Sequence, residues 1–420
     1  MSDSKKQALR VGSNKCLQLE LHGATSNSDA ARRPYGECLI NAGIALNAAT
    51  QRQRTISCGN IRTLVLFVFL VVAGARTTLA QAKTDKPSEQ EPLDQLVETH
   101  FSRWDKNSNG SLELDDVEHA MENRFAQGRV AALIFQVFSH MQHEHLPRIS
   151  HQDLLTLVKS RGFKKRVENT TKDLEANKHQ LFLPSDPSLS AFHQGGMGDC
   201  SLLAAIAAQV HRSPKAIREM IHPDEKRGFE VVFATGRKVK MAKLTDAELL
   251  MGASTDKHGL WLSVLEKAYG MIHNPSREKG RDHKIVPLQS LDGLSIEAPI
   301  TLLTGHAAGS LDLDKKTNPE QVQKLLVSLS KKDRLMCTDT DARKLPPGMG
   351  DEHAYAILGY NNKRRTVSVF NPWGNQFTPK GNPGIANGYP TENGVFTVPL
   401  NDFLQVFSRV IYETDKEESK

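Results

Sequence analysis

The chain has 420 residues, of which 39% are hydrophobic and 24% charged, so it is globular and long enough for two or three domains. Its formal charge of +6 is concentrated in residues 1–82, which hold 10 Lys and Arg and 4 Asp and Glu, out of 54 and 48 in the whole chain. The remaining residues are therefore neutral overall. This disfavours nucleic acid as a partner, because phosphate binding needs surplus cations on the folded part.

The first predicted element is a signal peptide region with an atypical N-terminal extension, residues 1–82. The apolar run LVLFVFLVVAGA at 64–75 follows three arginines and precedes Ala80-Gln81-Ala82, which fits an A-x-A cleavage site. The run is too short for an ordinary membrane span, which needs about 20 residues. We therefore expect a secreted or extracytoplasmic protein of a bacterial type. The alternatives are a buried strand or helix and an uncleaved membrane anchor through 61–82, and a membrane is expected as a partner only in that last case.

Residues 105–116, DKNSNGSLELDD, match the calcium loop of an EF-hand, with Gly110 at the sharp turn and Leu112 at the apolar position. Apolar spacing on both sides predicts an entering helix over 92–104 and an exiting helix over 117–125. Asp replaces the usual Glu at the last ligand position, which predicts weaker Ca²⁺ binding. The alternative is a turn between two helices that binds no metal. The predicted Ca²⁺ ligands are Asp105, Asn107, Asn109, Ser111, Glu113 and Asp116.

EF-hands usually pair, and the partner loop is predicted at 142–153 by aligning Ile149 with Leu112. This second loop lacks the ligands and the glycine, so we expect it to pack without binding metal. The pair is predicted to form an all-α module over 90–160. Four histidines nearby raise zinc as an alternative, but their spacing and the lack of cysteines favour a solvated surface. These histidines are His140, His143, His145 and His151.

A charged linker is predicted over 161–185, and Gln194-Gly-Gly-Met-Gly-Asp-Cys200 then precedes an alanine-rich apolar helix. Asp199 is a suitable N-cap, which places Cys200 at the helix N-terminus, where the macrodipole favours a thiolate. Backbone N–H groups there and the Gln194 amide can stabilise an oxyanion. Taken alone, Cys200 is more simply interpreted as a buried structural cysteine. Cleavage after Ala82 leaves one other cysteine, Cys337, which is predicted to be a core residue.

A base and its orienting group are predicted in a hairpin near the C-terminus. Residues 353–360 and 366–370 are typical of two strands joined by a short turn. A simple hairpin places His353 opposite Asn371, with their Cβ atoms about 5 Å apart. Asn371 can then hold one imidazole nitrogen while the other faces Cys200, and Trp373 can cover the pair.

Together these residues resemble the catalytic core of calpain-type cysteine proteases. The resemblance runs over about residues 180–413 and is carried by Gln194 to Cys200, His353-Ala-Tyr and Asn371-Pro-Trp-Gly, with further similarity at 261–269 and 393–403. It implies an α+β protein, a papain-like core of two subdomains behind the EF-hand module. The first subdomain, 186–306, would carry Gln194 and Cys200. The second, 307–413, would carry His353 and Asn371, and a charged tail at 414–420 would follow.

The resemblance also implies a calcium-dependent endopeptidase that cleaves protein or peptide substrates through a Cys-His-Asn triad. In calpains, calcium draws the two halves of the core together. Two features depart from the family: Ser201 stands where Trp is usual, and the EF-hand module precedes the core. They keep open a catalytically inactive calcium-binding interaction protein. The order of the residues alone also permits another Cys-His-Asn enzyme, such as an acyltransferase.

Overall fold

The computed structural model of the protein describes residues 91–417, apart from 177–179, 184–185, 225, 227, 256–258, 275–285, 292 and 342–344. The predicted signal peptide region lies outside the described residues. Within the described part of the chain, no helix is both long and apolar enough to cross a membrane. The described residues form a mixed α+β fold, which confirms the predicted class.

Residues 93–176 form a helical module that contains one small sheet. Its elements are α1 (Leu93–Trp104), β1 (Ser111–Glu113), α2 (Leu114–Met121), α3 (Gly128–His143), β2 (Arg148–Ser150), α4 (His151–Lys159) and α5 (Arg161–Ala176). Strands β1 and β2 pair antiparallel with Leu112 opposite Ile149, the alignment that the sequence predicts for the two loops. The prediction of an all-α module is wrong in this respect, because the two loops are joined by a short sheet.

The predicted linker at 161–185 is also wrong over most of its length, because its first part forms helix α5. Helix α5 packs against α3 and buries Phe163, Val167 and Leu174. These three residues are spaced four and seven positions apart, so they share one helix face. Few apolar residues were needed to anchor this helix, and the charges around them face solvent.

The segment that carries Cys200 consists of five helices and a three-stranded antiparallel sheet in the order β3-β4-β5. Its elements are α6 (Cys200–Arg212), α7 (Pro214–Met220), β3 (Ile221–Asp224), β4 (Gly228–Val232), β5 (Lys238–Met241), α8 (Asp246–Met251), α9 (Trp261–His273) and α10 (Glu297–Thr304). Helix α10 ends at Thr304, and Gly305 follows in the left-handed conformation with φ of 76°.

The segment that carries His353 is built on a six-stranded antiparallel sheet in the order β10-β9-β8-β7-β11-β6. Its elements are β6 (His306–Asp312), α11 (Pro319–Lys331), β7 (Met336–Asp339), β8 (Ala354–Asn361), β9 (Thr366–Phe370), β10 (Val395–Pro399), α12 (Leu400–Val406) and β11 (Arg409–Glu417). The predicted tail at 414–420 therefore begins as strand, and Asp415 is held by Lys332 and Arg334.

Both faces of this sheet carry buried side chains, and one of them packs against helix α6. Side chains alternate along β8, so that Ala354 and Ala356 join the core around α6, whereas Tyr355 and Ile357 join the core around α11 and α12. Helix α6 packs on β8 through this small-residue face. The strand that follows His353 is thus in contact with the helix that begins at Cys200.

Helices α2 and α3 of the module are joined to the segment that carries Cys200 by hydrogen bonds. The Thr245 hydroxyl donates to the Met121 carbonyl at 2.7 Å, and the Gly128 N–H donates to the Asp246 carboxylate at 2.7 Å. Gln289 donates its side-chain amide to Glu118 at 2.6 Å. Helix α3 also packs against α8. The loop at 105–116 is therefore connected to the segment that carries Cys200 by contacts that begin directly after it.

Candidate active site

Cys200 is half-buried and is the first residue of helix α6. Asp199 occupies the N-cap position, but its carboxylate accepts no capping hydrogen bond from the helix. It is instead buried in the core, where its charge acts on the neighbouring Glu266 carboxyl. Asp199 is therefore the N-cap residue, as predicted, but its side chain does not cap the helix.

The glycine loop before Cys200 is held against the segment that follows α8. The Gly196 N–H donates to the Met251 carbonyl at 3.2 Å. A Cβ at Gly195 would lie 2.2 Å from the Gly252 carbonyl oxygen, so only glycine permits this close approach of two backbones. The loop is thereby fixed to the end of the helix that contacts the N-terminal module.

Gln194 connects the nucleophile loop to the segment after strand β9. Its backbone N–H donates to the Pro372 carbonyl at 2.9 Å, next to Asn371. Its side-chain Nε2 donates to the Met197 carbonyl at 2.8 Å, within its own loop. The amide carries two hydrogens, so this contact uses one of them and orients the other. The predicted oxyanion donor thus lies on the nucleophile loop with its amide already positioned.

His353 and Asn371 are joined by a hydrogen bond between imidazole Nε2 and the Asn371 Oδ1, at 2.8 Å. Because an amide oxygen only accepts, Nε2 carries the proton and Nδ1 is the nitrogen left for chemistry. The backbone N–H of Trp373 donates to the same oxygen at 3.0 Å. The Trp373 indole lies on the imidazole, with ring centroids 4.3 Å apart. The imidazole is oriented and shielded by these two neighbours.

The predicted cross-strand pairing of His353 with Asn371 is wrong in register. Strand β8 begins at Ala354. The turn takes residues 362–365 and pairs Asn361 with Thr366, which moves the register by three residues from the predicted one. The bulge between Ile357 and Gly359 takes back one residue, so that Ala356 lies opposite Phe370. His353 and Asn371 therefore lie beyond the paired residues, at the same end of the hairpin. Their side chains bridge the remaining distance.

The two titratable groups of the site both favour their neutral form. Burial lowers the pKa of His353 to about 4, although the Asn371 hydrogen bond acts in the opposite direction. Burial raises the pKa of the Cys200 thiol, and the Asp199 charge adds to this effect. Hydrogen bonds from the Ala354 backbone and from Ser201 lower that pKa, but less. The expectation that the helix N-terminus favours a thiolate is therefore outweighed here by burial.

A cavity of about 240 Å³ brings Cys200 and His353 together. Within the described residues, no hydrogen bond joins the Cys200 sulfur directly to the imidazole. Three acidic residues and Ser201 contribute to the cavity wall. The full lining comprises Cys200, Ser201, Ile296, Asp339, Thr340, Asp341, Glu352, His353 and Ala354.

Two supporting residues were not predicted from the sequence. Thr340 accepts from the His353 N–H at 3.1 Å and donates to the Gly350 carbonyl at 2.8 Å, which fixes the backbone of the base. Glu266 lies on α9, fully buried. A carboxyl in the otherwise apolar stretch WLSVLEKAYG was the signal that could have indicated Glu266, whereas Thr340 lies in a segment without a distinctive pattern.

The predicted calcium loop is closed by hydrogen bonds between its own side chains and backbone. Asp105 accepts from the Gly110 N–H at 2.8 Å, and Glu113 accepts the side-chain amides of Asn107 and Asn109 at 3.2 and 3.0 Å. Asp116 turns back to accept from the Glu113 N–H at 3.1 Å. Hard cations take such sets of carboxylate and amide oxygens, so the loop fits Ca²⁺.

The described residues contain no group of three or more His, Cys, Asp or Glu side chains that could hold a metal ion. A cation in the loop would therefore depend on the asparagine and backbone oxygens as well as on the carboxylates. Of the four histidines near the second loop, His143 lies 3.0 Å from Glu144 and His151 lies 3.4 Å from Glu98. These two are thus directed at individual acids.

A family model described as calpain family cysteine protease matches residues 160–382, which is more than half of the chain. The matched range contains Gln194, Cys200, His353 and Asn371. It begins at helix α5 and leaves out the EF-hand-like loops.

Individual relatives agree with this match at low identity. A calpain of Schistosoma mansoni is 25% identical over 293 residues, covering 59% of this chain and 36% of that protein. The calpain-2 catalytic subunit of Mus musculus is 25% identical over 258 residues, covering 52% and 34%. The calpain-type cysteine protease DEK1 of Zea mays is 23% identical over 285 residues, covering 59% and 12%. The chain spans about a third or less of the length of these relatives.

Proposed function

The chain belongs to the calpain family of cysteine proteases, and from this premise we propose that it is an endopeptidase with a Cys200-His353-Asn371 triad. The observation that carries the proposal is the 2.8 Å bond from His353 Nε2 to Asn371 beneath Trp373, at a cavity that also exposes Cys200. That bond leaves Nδ1 as the general base. The substrates are proteins or peptides.

In the first step, Nδ1 of His353 takes the thiol proton, and the Cys200 sulfur attacks the carbonyl carbon of the scissile peptide bond. The carbonyl oxygen becomes an oxyanion, which the Cys200 N–H and the Gln194 amide stabilise. The imidazolium then protonates the leaving amine as the C–N bond breaks, and a thioester remains. Water, deprotonated by His353, attacks the thioester and restores the free thiol.

The pKa values of Cys200 and His353 indicate that the resting site holds a neutral thiol and a neutral imidazole. Because burial raises the pKa of the thiol and lowers that of the imidazole, the neutral pair is favoured over the thiolate–imidazolium pair. A rearrangement that joins Nδ1 to the thiol makes the ion pair more favourable, since each charge then stabilises the other. The proposed enzyme is therefore assembled in its parts and needs a further step to become fully active.

Ca²⁺ at residues 105–116 is the proposed trigger of that step. Asp105, Asn107, Asn109, Ser111, Glu113 and Asp116 would hold the ion, which supplies positive charge that fixes these oxygens in one geometry. Helix α2 follows the loop directly and is hydrogen-bonded to α8 through Met121 and Thr245. The last residue of α8, Met251, accepts a hydrogen bond from Gly196 in the nucleophile loop. These contacts support control of the site by the module.

Export remains part of the proposal. Residues 1–82 would direct secretion and be removed after Ala82, or would stay as an anchor through 61–82. Mass spectrometry of the mature chain after expression with its natural N-terminus tests this. A product that begins at Lys83 in the extracytoplasmic fraction supports cleavage, whereas an intact N-terminus in the membrane fraction supports the anchor.

The proposed activity is tested by cleavage of an unfolded protein substrate in the presence of calcium. We expect Cys200→Ala and His353→Ala each to lower kcat/KM by about 10⁴-fold, because they remove the nucleophile and the base. Cys337→Ala is the matched control, since this second thiol lies buried in strand β7. Retained cleavage in Cys200→Ala would overturn the mechanism. A wild-type protein that binds calcium but cleaves nothing would instead support an inactive interaction protein.

A further inference from the structure

A pair of carboxyl groups lies in the core directly behind the nucleophile. Glu266, on helix α9, is fully buried, and Asp199, which precedes Cys200, is 1% exposed. The two carboxyl groups are close enough for the charge of Asp199 to act on Glu266. Two neighbouring buried carboxylates cannot both be ionised without a large electrostatic cost, so such pairs share one proton.

The backbone around Glu266 shows which of its atoms are already used. Both carboxyl oxygens lie within hydrogen-bond distance of the Ala253 N–H, at 2.9 and 2.8 Å. A Cβ at Gly252 would lie 2.9 Å from Glu266 Oε2, so the chain passes close to the carboxyl at this point. Glu266 therefore joins three segments: helix α9, the turn after helix α8, and the loop that presents Cys200.

The position of the shared proton follows from the surroundings. Burial and the nearby Asp199 raise the pKa of Glu266 well above its usual range. The nearest cation on α9, Lys267, is already paired with Glu248 at 2.6 Å. A protonated Glu266 donates its O–H to the Asp199 carboxylate and accepts from the Ala253 N–H, which satisfies each group.

We infer that Glu266 is a positioning residue, whose protonated carboxyl locks Asp199 and the nucleophile loop to helix α9 and keeps a second negative charge away from the Cys200 thiol. This inference rests on the proposed function for its role in catalysis. Its structural part, the charge state next to Cys200, does not depend on proteolysis.

The test is the pH dependence of alkylation of Cys200 by iodoacetamide, which reports thiolate formation without any peptide cleavage. The full chain is used, and Cys200→Ala corrects for reaction at other thiols. Asp199→Asn removes the ionised partner, so we expect the alkylation midpoint to fall by about 0.5 to 1 pH unit. Glu266→Gln replaces one neutral hydrogen-bonding group by another, so its midpoint should stay at the wild-type value. A role in packing alone moves neither midpoint.

Two outcomes overturn the inference. A fall of the midpoint in Glu266→Gln means that Glu266 is ionised and carries the charge itself. An unchanged midpoint in Asp199→Asn means that the pair does not influence the thiol. If Asp199→Asn fails to fold, as judged by circular dichroism, Glu266→Gln alone still decides the charge state.

The positioning role is tested separately by kinetics. Glu266→Ala leaves Asp199 and the Ala253 N–H without this partner, so we expect kcat to fall about 30-fold with little change in KM. Glu266→Gln should restore most of the activity, because it keeps both hydrogen bonds. An equal loss in both variants contradicts the role. Failure of the wild-type chain to cleave any substrate refutes the proposed function, while the alkylation result stands on its own.

Discussion

The two sides of the candidate site hold their functional side chains by different means. On the nucleophile side, Cys200 follows Asp199, whose buried carboxyl neighbours that of Glu266 in the interior of a helical segment. On the base side, His353 lies at the end of a sheet, where the neutral amide of Asn371 holds it and Trp373 covers it. One side uses acids and the other an amide.

This difference concerns charge more than geometry. Burial raises the pKa of the thiol, and the adjacent Asp199 carboxylate raises it further, so the nucleophile side opposes its own activation. An amide adds no charge, so burial dominates the imidazole and lowers its pKa. The base is therefore oriented but weakly basic, and the nucleophile is placed but protonated. Activation of this site has to bring Nδ1 of His353 to the thiol, so that the two charges stabilise each other.

The largest effect expected on the base side comes from Asn371→Ala. This change removes the acceptor that fixes the Nε2 proton and the ring orientation, so we expect kcat/KM to fall about 100-fold. The alkylation midpoint of Cys200 should stay unchanged, because no charge is lost. Kinetics and alkylation on the same preparation check both statements, and a shifted midpoint would mean that the two sides are not independent.

The next effect is on stability, since the buried imidazole stays neutral in the folded protein. Its pKa of about 4 lies below the value of 6.5 for a free histidine, so between these values the unfolded chain binds a proton that the folded chain does not. This contribution to stability is complete above about pH 6.5 and declines as the pH falls toward 4. Between about pH 7.5 and about pH 5, protonation of the unfolded chain at this histidine should lower the free energy of unfolding by about 2 kcal/mol.

Urea unfolding of the wild type and of His353→Gln at these two pH values measures the contribution of His353 to the free energy of unfolding. The free energy of unfolding should fall more in the wild type than in the variant, because only the wild type titrates at this position. Equal losses in the two proteins would show that the imidazole is accessible to protons in the folded state.

A smaller effect is expected when the neutral amide beside His353 is replaced by an acid, as beside Cys200. Asn371→Asp places a carboxylate beside His353, which should raise the imidazole pKa by about one unit or more, a tenfold change in its proton affinity. An NMR titration of the His353 ring, compared with Asn371→Ala, measures it. An unaltered pKa would argue that burial overrides any neighbour at this position.

The smallest expected effect concerns the link from the calcium loop to the nucleophile side. Asp105→Ala removes a buried carboxylate of the proposed calcium site and the acceptor of the Gly110 N–H, so calcium affinity measured by calorimetry should drop. In calcium, alkylation of Cys200 should slow about fivefold relative to the wild type, a typical coupling between two sites. Substitution of exposed Glu144 in the second loop is the control. Unchanged alkylation with lost calcium binding would separate the loop from the site.

Local patterns predicted the parts of the fold in which nearby residues determine the structure. The pairing of Leu112 with Ile149 and the two strands that carry His353 to Asn371 follow from spacing within short segments. Helix α5 was missed because only three buried apolar residues define it among many charges. The register of the hairpin was mispredicted because the sequence does not show that the turn takes residues 362–365 or where a bulge lies.

Electrostatics was the part of the site that could not be predicted. The helix N-terminus indicates a stabilised thiolate, but the burial that outweighs it comes from residues distant in sequence. Strand β8 packs over Cys200 from the other segment and buries it, and Glu266 reaches Asp199 from helix α9. A single sequence shows the identity of such residues but not which of them meet in the core.

The central claim is that Cys200 is the nucleophile of an assembled, calcium-controlled protease site. It is tested most directly by covalent labelling with an epoxide inhibitor of thiol proteases, in calcium and in chelator, with Cys200→Ala as the control. We predict labelling at Cys200 that is strong in calcium and weak in chelator. Equal labelling in both conditions would keep the nucleophile and contradict calcium control, and the absence of labelling from folded protein in both would contradict the protease itself.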